Sequence, residues 1–394
     1  MNLDEIMAPI GAQAFVRDYL GQQPLHLQGS PEKFQAVMNW GVLNRLLGMT
    51  TVWSAQSMVL VLDKEVIQPS AFCQPAAGRD GGTVLRPDAV KVRQLLARGA
   101  TLVLNDIDQL TPELSAAARA LEEGLGGKVQ ANLYMSSKRK QAFKAHFDFH
   151  DVFAMHVMGE KTWMVFEGVA DHPIPHPMFE GWPQERHDAA KGKPWREVRL
   201  KPGDLLYLPR GQYHYALADD GACAHIAFGV TYPIGIDAVS YAFERMVAHG
   251  LGRANLPKER AALRQRLAEI GQAFAACLAE ERAVEDVLRF MAGFRWPREA
   301  YDLPELVENA DEQFRVKGAG LRLVAQGGRY GLVKEGSRQA VEVPASIRPH
   351  LVWVLDRERF GRQDLRRAFP GETPAKLDQL LIDLGRMSLI EPVV

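Results

Sequence analysis

Polar and apolar residues alternate with period two along Lys144–Met158 and again along Lys161–Phe166, with Gly159-Glu160 between the runs. That spacing predicts a strand, a short turn and a second strand. His146 and Asp148 then fall on one face, and Phe147 and Phe149 on the other. A second patterned stretch, Lys201–Leu217, reads as a Pro-Gly-Asp turn, a short buried strand, a Pro209-Arg210-Gly211 corner and another strand carrying His214. Ala222–Val230 continues as a further strand.

Upstream, Phe15–Leu20 and Val42–Leu47 show helical spacing, and Met58–Leu62 and Ala100–Leu104 read as buried strands. Pro112–Leu125 predicts a helix with Leu114, Ala118 and Leu121 on one face, ended by Gly126-Gly127. Residues 168–196, rich in Pro, His and Trp, predict a functional loop or lid. Past residue 236 the period becomes helical: Val239, Phe243, Met246 and Val247 form one stripe, and Leu263, Leu267, Ile270, Phe274 and Cys277 recur at intervals of four and three. The last eighty or so residues suggest a winged helix. Strands are expected near Leu321–Val324 and Tyr330–Val333, helices at Pro349–Leu355, Arg362–Phe369 and Pro374–Arg386, and a closing strand at Leu389-Ile390.

Composition narrows the class without naming it. The chain has 394 residues, 47% apolar and 24% charged, which is ordinary for a globular protein with two or three domains. A net charge of −1 gives no global case for nucleic-acid or membrane binding. Cys73, Cys223 and Cys277 fit neither a disulfide framework nor a zinc spacing, so free thiols and a reducing, cytoplasmic setting are expected. The start of the chain lacks the signature of a signal peptide, and apolar runs fall short of bilayer-spanning length.

The chemistry concentrates in three residues. His146 and Asp148 sit two apart, roughly 7 Å between Cα atoms, and His214 offers a third ligand from a strand of the same sheet. Two imidazoles and one carboxylate leave half an octahedral shell open, as in non-heme Fe(II) oxygenases, whereas a structural zinc site closes with four ligands. Lys161 shares a face with Trp163 and Val165, and an ammonium facing an apolar interior requires an anionic partner such as a co-substrate carboxylate. His150, about 13 Å along an extended strand from His146, is expected outside the metal shell. His156 reads as a pocket-lining or core histidine, and Asp151 as a bend cap or ion-pair partner. The basic stretch Lys138-Arg139-Lys140…Lys144 reads as a solvated turn or a pocket lip.

In His146-x-Asp148, Asp151-Val-Phe, Gly159-x-Lys161-x-Trp163, Gly203-Asp204-Leu-Leu-Tyr-Leu-Pro209 and the distal His214, the sequence resembles the cupin-fold JmjC oxygenases, and within them the ribosomal oxygenases. The resemblance implies an α+β fold: a double-stranded β-helix catalytic domain over 1–235, a helical dimerisation region over 236–310 and a winged-helix domain over 311–394. It implies Fe(II) held by His146, Asp148 and His214, and 2-oxoglutarate held by Lys161 with Asn132 and Tyr134 beside it. Tyr134, Arg210 and His225 are candidate substrate contacts, and the implied substrate is an arginine or histidine of a ribosomal protein. Lys161, where the bacterial arginine hydroxylases use arginine, and Gly229, where some relatives carry serine, depart from the pattern. Homodimerisation through 236–310 is expected. In the final helix Lys376 and Arg386 are balanced by Asp378 and Asp383, which argues against DNA reading. Three alternatives stay open: the same chemistry on another peptide such as a natural-product precursor, demethylation of an N-methyl side chain, and a non-enzymatic cupin scaffold whose winged helix binds nucleic acid.

Overall fold

The period-two runs are realised as two antiparallel sheets packed face to face. The structure, a computed structural model, describes residues 1–78, 81–137, 143–219, 221–298, 312–318, 320–326, 329–334 and 340–393. It divides into two units, Met1–Glu299 and Ala300–Val394, where the sequence suggested three segments. The helices after the barrel belong to the first unit.

In chain order the strands of that unit are β1 (Leu25–Leu27), β2 (Met58–Leu62), β3 (Glu65–Val66), β4 (Cys73–Ala77), β5 (Thr83–Pro87), β6 (Thr101–Leu104), β7 (Lys128–Ser136), β8 (Asp151–Met158), β9 (Lys161–Val169), β10 (Pro194–Leu200), β11 (Leu205–Leu208), β12 (Gln212–Ala218) and β13 (Cys223–Thr231). The larger sheet runs β1-β11-β8-β13-β7-β6-β2-β3, the smaller β10-β9-β12, and β4-β5 form a separate hairpin. From β8 to β13 the chain passes repeatedly between the two main sheets, as in a cupin-type barrel.

Central strand β8 shows why the alternation matters. All eight of its residues are buried. Val152 and Ala154 pack between the sheets with Trp163, Val165 and Leu206. Phe153, Met155 and Val157 face outward, into a core shared with Phe15, Leu43, Leu114 and Leu121 of the flanking helices. Those helices lie where their apolar stripes placed them: Gly11–Asp18, Trp40–Gly48 and Pro112–Leu125, the last begun by Thr111, whose hydroxyl accepts from the Leu114 N–H at 3.2 Å. Asp151 also lies on the outer face. It accepts from the Tyr207 hydroxyl at 2.7 Å and the Arg210 N–H at 2.8 Å, and burial raises its pKa.

One contact set was invisible in the sequence. Arg298, past the last helix of the unit, reaches back to the barrel. Its Nη1 donates to Asp108 Oδ2 at 2.5 Å, Nε to Glu122 Oε2 at 2.9 Å and Nη2 to the Val129 carbonyl at 2.5 Å. All three charged side chains are buried. The Glu122 and Asp108 carboxylates also accept from the Val129 and Ala131 N–H groups at 3.1 and 3.2 Å, at the start of β7.

The second unit has its own core, built from Phe314, Leu351, Val354, Phe360, Leu365, Leu377, Leu381 and Leu384 among others. Helices Arg348–Leu355, Arg362–Ala368 and Pro374–Arg386 accompany a sheet of Arg359–Gly361, Gln313–Val316 and Ile390–Val393. A second sheet joins Leu321–Gln326, Arg329–Lys334 and Ala340–Val343. Among the described residues, no helix is long and apolar enough to cross a membrane.

Two stability outcomes follow. Replacing Arg298 by methionine leaves Asp108 and Glu122 buried without their cation and lowers unfolding stability by about 3–5 kcal/mol, read as a fall in the denaturant midpoint; an unchanged midpoint refutes the role. Burial pulls the His156 imidazole down to about 4, from an ordinary 6.5. Below pH 6.5 the unfolded chain therefore takes up a proton that the folded barrel excludes. This contribution to stability is whole above about pH 6.5 and is lost as pH falls toward 4, by at most about 1.4 kcal/mol per pH unit. The substitution His156→Gln flattens that acid limb in a plot of midpoint against pH; an identical slope in both proteins excludes His156 as its source.

Candidate metal centre and cavity

His146 and Asp148 do not lie on a regular strand. Residues 143–150 form bends and one isolated antiparallel bridge, and β8 begins only at Asp151. The bridge pairs His146 with His214: the His146 N–H donates to the His214 carbonyl at 3.1 Å and the His214 N–H returns to the His146 carbonyl at 2.9 Å. The segment thereby adds to the β12 edge of the smaller sheet, and the expected alternation survives over this short length. Both imidazoles face inward, while Phe147 packs outside with Tyr213 and Trp182 at ring separations of 5.3 and 5.6 Å. The Gly211 N–H donates to the Asp148 carbonyl at 3.0 Å, which holds the ligand loop against the Pro209-Arg210-Gly211 corner. Gly211 has a φ of +87°, and a Cβ there would meet the Ala170 carbonyl oxygen at 2.2 Å.

The three candidate ligands converge. Their ligating atoms lie within 4.8 Å of one another, with His146 Nε2 4.0 Å and His214 Nε2 3.5 Å from the Asp148 oxygens. His146 Nδ1 is 2.8 Å from the Lys144 carbonyl and His214 Nδ1 2.9 Å from that of Gln212. Each carbonyl accepts the Nδ1 proton and leaves the Nε2 lone pair free for a metal. Burial, with His146 adding to it, pulls His214 down to about 4, so it is neutral at physiological pH. Burial alone would raise the Asp148 pKa; His146, His214 and His150 outweigh it and hold the carboxyl below its usual range. Tautomer, charge and donor set fit a divalent metal bound on one side by two nitrogens and an oxygen.

The triad opens into a cavity of about 320 Å³ between the sheets. Registers set the positions along it. His214, Ala216 and Ala218 of β12 pair with Val165, Trp163 and Lys161 of β9, so Lys161 faces the same interior as His214, about 13 Å away at 3.3 Å per residue. Lys161 is 4% exposed, lines the cavity and has no ion-pair partner among the described residues. Burial lowers its pKa, with Cys223 opposing. Asn132 and Tyr134 of β7 and His225 of β13 line the same cavity, with Tyr134 stacked on His225 at 5.0 Å. Burial, with Asp148 adding to it, pushes the Tyr134 hydroxyl up to about 12.

His150 is not among the converging ligands but lines this cavity, because the chain bends at residues 149–150 and the extended-strand distance does not apply. Its ring lies over Gly229, where a Cβ would meet it at 2.7 Å. Other expectations are corrected. Arg210 is not among the cavity-lining residues; it borders a separate depression with Leu20, Asp151 and Tyr232. The corner spends the Arg210 N–H on Asp151, on the outer face of β8. The segment 168–196 is not a lid over the cavity. It contains the helix Gln184–Ala190 and buttresses the ligand segment from outside, through Gln184 Nε2 donating to the Ala145 carbonyl at 3.1 Å and His187 Nδ1 at 3.2 Å from the Tyr213 hydroxyl. Residues 138–142, most of the basic stretch, lie outside the described residues.

Residues 109–237 match the JmjC domain family, a span that contains the triad, Lys161 and the cavity strands β7–β13. The chain is 26% identical over 242 residues to the uncharacterized protein YxbC of Bacillus subtilis (strain 168), covering 58% of this chain and 70% of that one. It is 26% identical over 219 residues to ribosomal oxygenase 2 of Bos taurus, covering 55% of this chain and only 44% of the relative's length. Among solved structures, ycfD of E. coli aligns with a TM-score of 0.49 at 17% identity, over 97% of this chain and 98% of that one.

The triad predicts one Co(II) per chain with a weakly absorbing, five- or six-coordinate visible spectrum, and an Ala substitution at His146, Asp148 or His214 lowers that affinity about 100-fold or more. Intense tetrahedral bands, or Co(II) affinity that survives His214→Ala, would show that the triad is not the site.

Proposed function

We propose that this chain, a JmjC-domain oxygenase dependent on Fe(II) and 2-oxoglutarate and related to the ribosomal oxygenases, hydroxylates a side chain of a ribosomal protein, an arginine or a histidine. One observation supports the reading above others: an open-sided His146–Asp148–His214 triad shares a cavity with the buried Lys161, which has no ion-pair partner among the described residues. With a metal on the triad and 2-oxoglutarate and oxygen present, the site would supply the power to insert oxygen into an unactivated C–H bond, with succinate and carbon dioxide as co-products.

The chain's own residues account for the rest. His146, Asp148 and His214 would hold the metal on one side and leave the cavity side open. Lys161 would pair with the far carboxylate of 2-oxoglutarate and recover the charge stabilisation that burial removes. Asn132 and Tyr134 would flank the co-substrate. Val152, Trp163, Ala216 and Ala227 supply apolar wall, which excludes water from the reacting atoms. The substrate side chain would enter past Phe143, His150 and Gly229.

The remaining readings concern assembly. The helix Gly235–Ala248 leaves Val239, Phe243 and Val247 exposed, and Glu281–Ala292 leaves Leu288 and Met291 exposed. A second copy of the chain covering this face makes a homodimer. The C-terminal unit reads as a winged helix turned to protein rather than DNA, since Arg362 pairs with Glu312 and Asp378, and Arg366 with Asp378. A ribosomal substrate places the reaction in the cytoplasm.

Incubating purified ribosomal proteins with the enzyme, Fe(II) and 2-oxoglutarate should give a +16 Da shift on one protein by mass spectrometry. Succinate formation without a shift anywhere in the panel would redirect the search to another peptide, and formaldehyde release would indicate demethylation. Phe243→Glu is expected to halve the particle mass in light scattering while leaving metal binding intact; a monomeric parent protein would rule out the dimer.

A further inference from the structure

Three inner-face residues of β13, His225, Ala227 and Gly229, lie along the cavity. Gly229 sits under the His150 ring, at the end where a side chain would enter. His225 sits at the other end. It pairs with Tyr134 on one neighbouring strand and with His156 on the other, and His156 contacts the Gly159 carbonyl, two residues before Lys161, at 2.9 Å. Its ring meets Trp163 edge-on at 5.2 Å. His225 therefore belongs to the Lys161 end of the cavity and not to the entrance.

Its hydrogen bonding is incomplete. His225 is 3% exposed, yet its Nδ1 is buried without a partner, and so is the neighbouring Trp163 Nε1. Neither nitrogen of the His225 ring has a hydrogen-bond partner among the described residues. Buried polar atoms are seldom left unpaired without a ligand to receive them, because an unmade bond costs about 1–3 kcal/mol. The His225 imidazole and the Trp163 indole N–H, both without partners, therefore line the same cavity as the Lys161 ammonium, which has no ion-pair partner among the described residues, an arrangement that recognises a carboxylate.

We propose that His225 is a co-substrate-binding residue, donating a hydrogen bond to the distal carboxylate of 2-oxoglutarate beside Lys161, with the Trp163 indole N–H as a second donor. This rests on the oxygenase reading above. It moves His225 from the substrate contacts expected from sequence to the co-substrate seat. Burial, reinforced by Lys161, keeps the ring neutral, so it donates without adding a second positive charge next to the ammonium. Tyr134, stacked on the opposite side, fixes the ring plane.

The test uses the full-length protein loaded with Mn(II) in place of iron, and reads binding by calorimetry with two ligands. 2-Oxoglutarate carries the distal carboxylate; pyruvate has the same chelating 2-oxo acid and lacks it. In His225→Phe the affinity for 2-oxoglutarate should fall about tenfold while that for pyruvate is unchanged, and His225→Asn, which restores a donor, should recover part of the loss. The assignment is overturned if His225→Phe binds 2-oxoglutarate as tightly as the parent, or if both variants lose both ligands equally, since the ring would then be a packing residue. A parent protein that does not prefer 2-oxoglutarate over pyruvate would instead sink the oxygenase reading, and this assignment with it.

Discussion

Two reciprocal backbone hydrogen bonds between His146 and His214 hold the site together. They join residues 68 positions apart in the chain and fix both imidazoles on the interior face of the smaller sheet. Side-chain direction is then decided by pleat rather than by rotamer search. Asp148, two residues on, inherits the same face. The local carbonyls of Lys144 and Gln212 complete the arrangement by choosing the tautomer. A pair of ordinary sheet contacts thus sets ligand position, and the neighbouring backbone sets ligand chemistry.

Around this pair the barrel separates two solvents within one fold. On the inner face of β8 and β9, His156 and Lys161 interrupt an apolar surface of Val152, Ala154, Trp163 and Val165, with His225 of β13 and the triad beside them. The outer face is apolar except where Asp151, Tyr207 and the Gly21 N–H make a closed hydrogen-bonded chain. That outer group is satisfied and structural. The inner group keeps buried donors unpaired, which stability alone would not favour. Unpaired burial is not confined to the site, since the Tyr232 hydroxyl near Asp151 and His350 Nδ1 of the second unit also lack partners, but within the cavity it gathers on His225 and Trp163 beside Lys161.

Much of this was legible in the sequence, for a physical reason: alternation survives wherever one sheet face is buried. It located β9, β11, β12 and β13, the face shared by His146 and Asp148, and the inward direction of Lys161. What the pattern could not show was where the chain stops being extended. The bends at 149–150 bring His150 to the cavity, and arithmetic along a straight strand puts it elsewhere. The segment 168–196 looked like a lid because proline, histidine and tryptophan are common in functional loops; its role is to pack Trp182 against Phe147 from behind, a long-range fit with no periodic signal. The same holds for Arg298, one arginine among many in the sequence, distinguished only by the two carboxylates that the fold brings to it.

That last contact ties the end of the first unit back to its barrel. The cavity strands end at Thr231, and a polypeptide cut there would retain every side chain that lines the reaction chamber. It would also strip the counter-cation from Asp108 and Glu122 and free the start of β7, the strand that presents Asn132 and Tyr134. The helices between Gly235 and Ala292 are consequently not an appendage: the polypeptide leaves the barrel, travels through them and is bolted back at Arg298. The compact unit runs to Glu299, and removing the helical excursion would leave two buried acids without their cation.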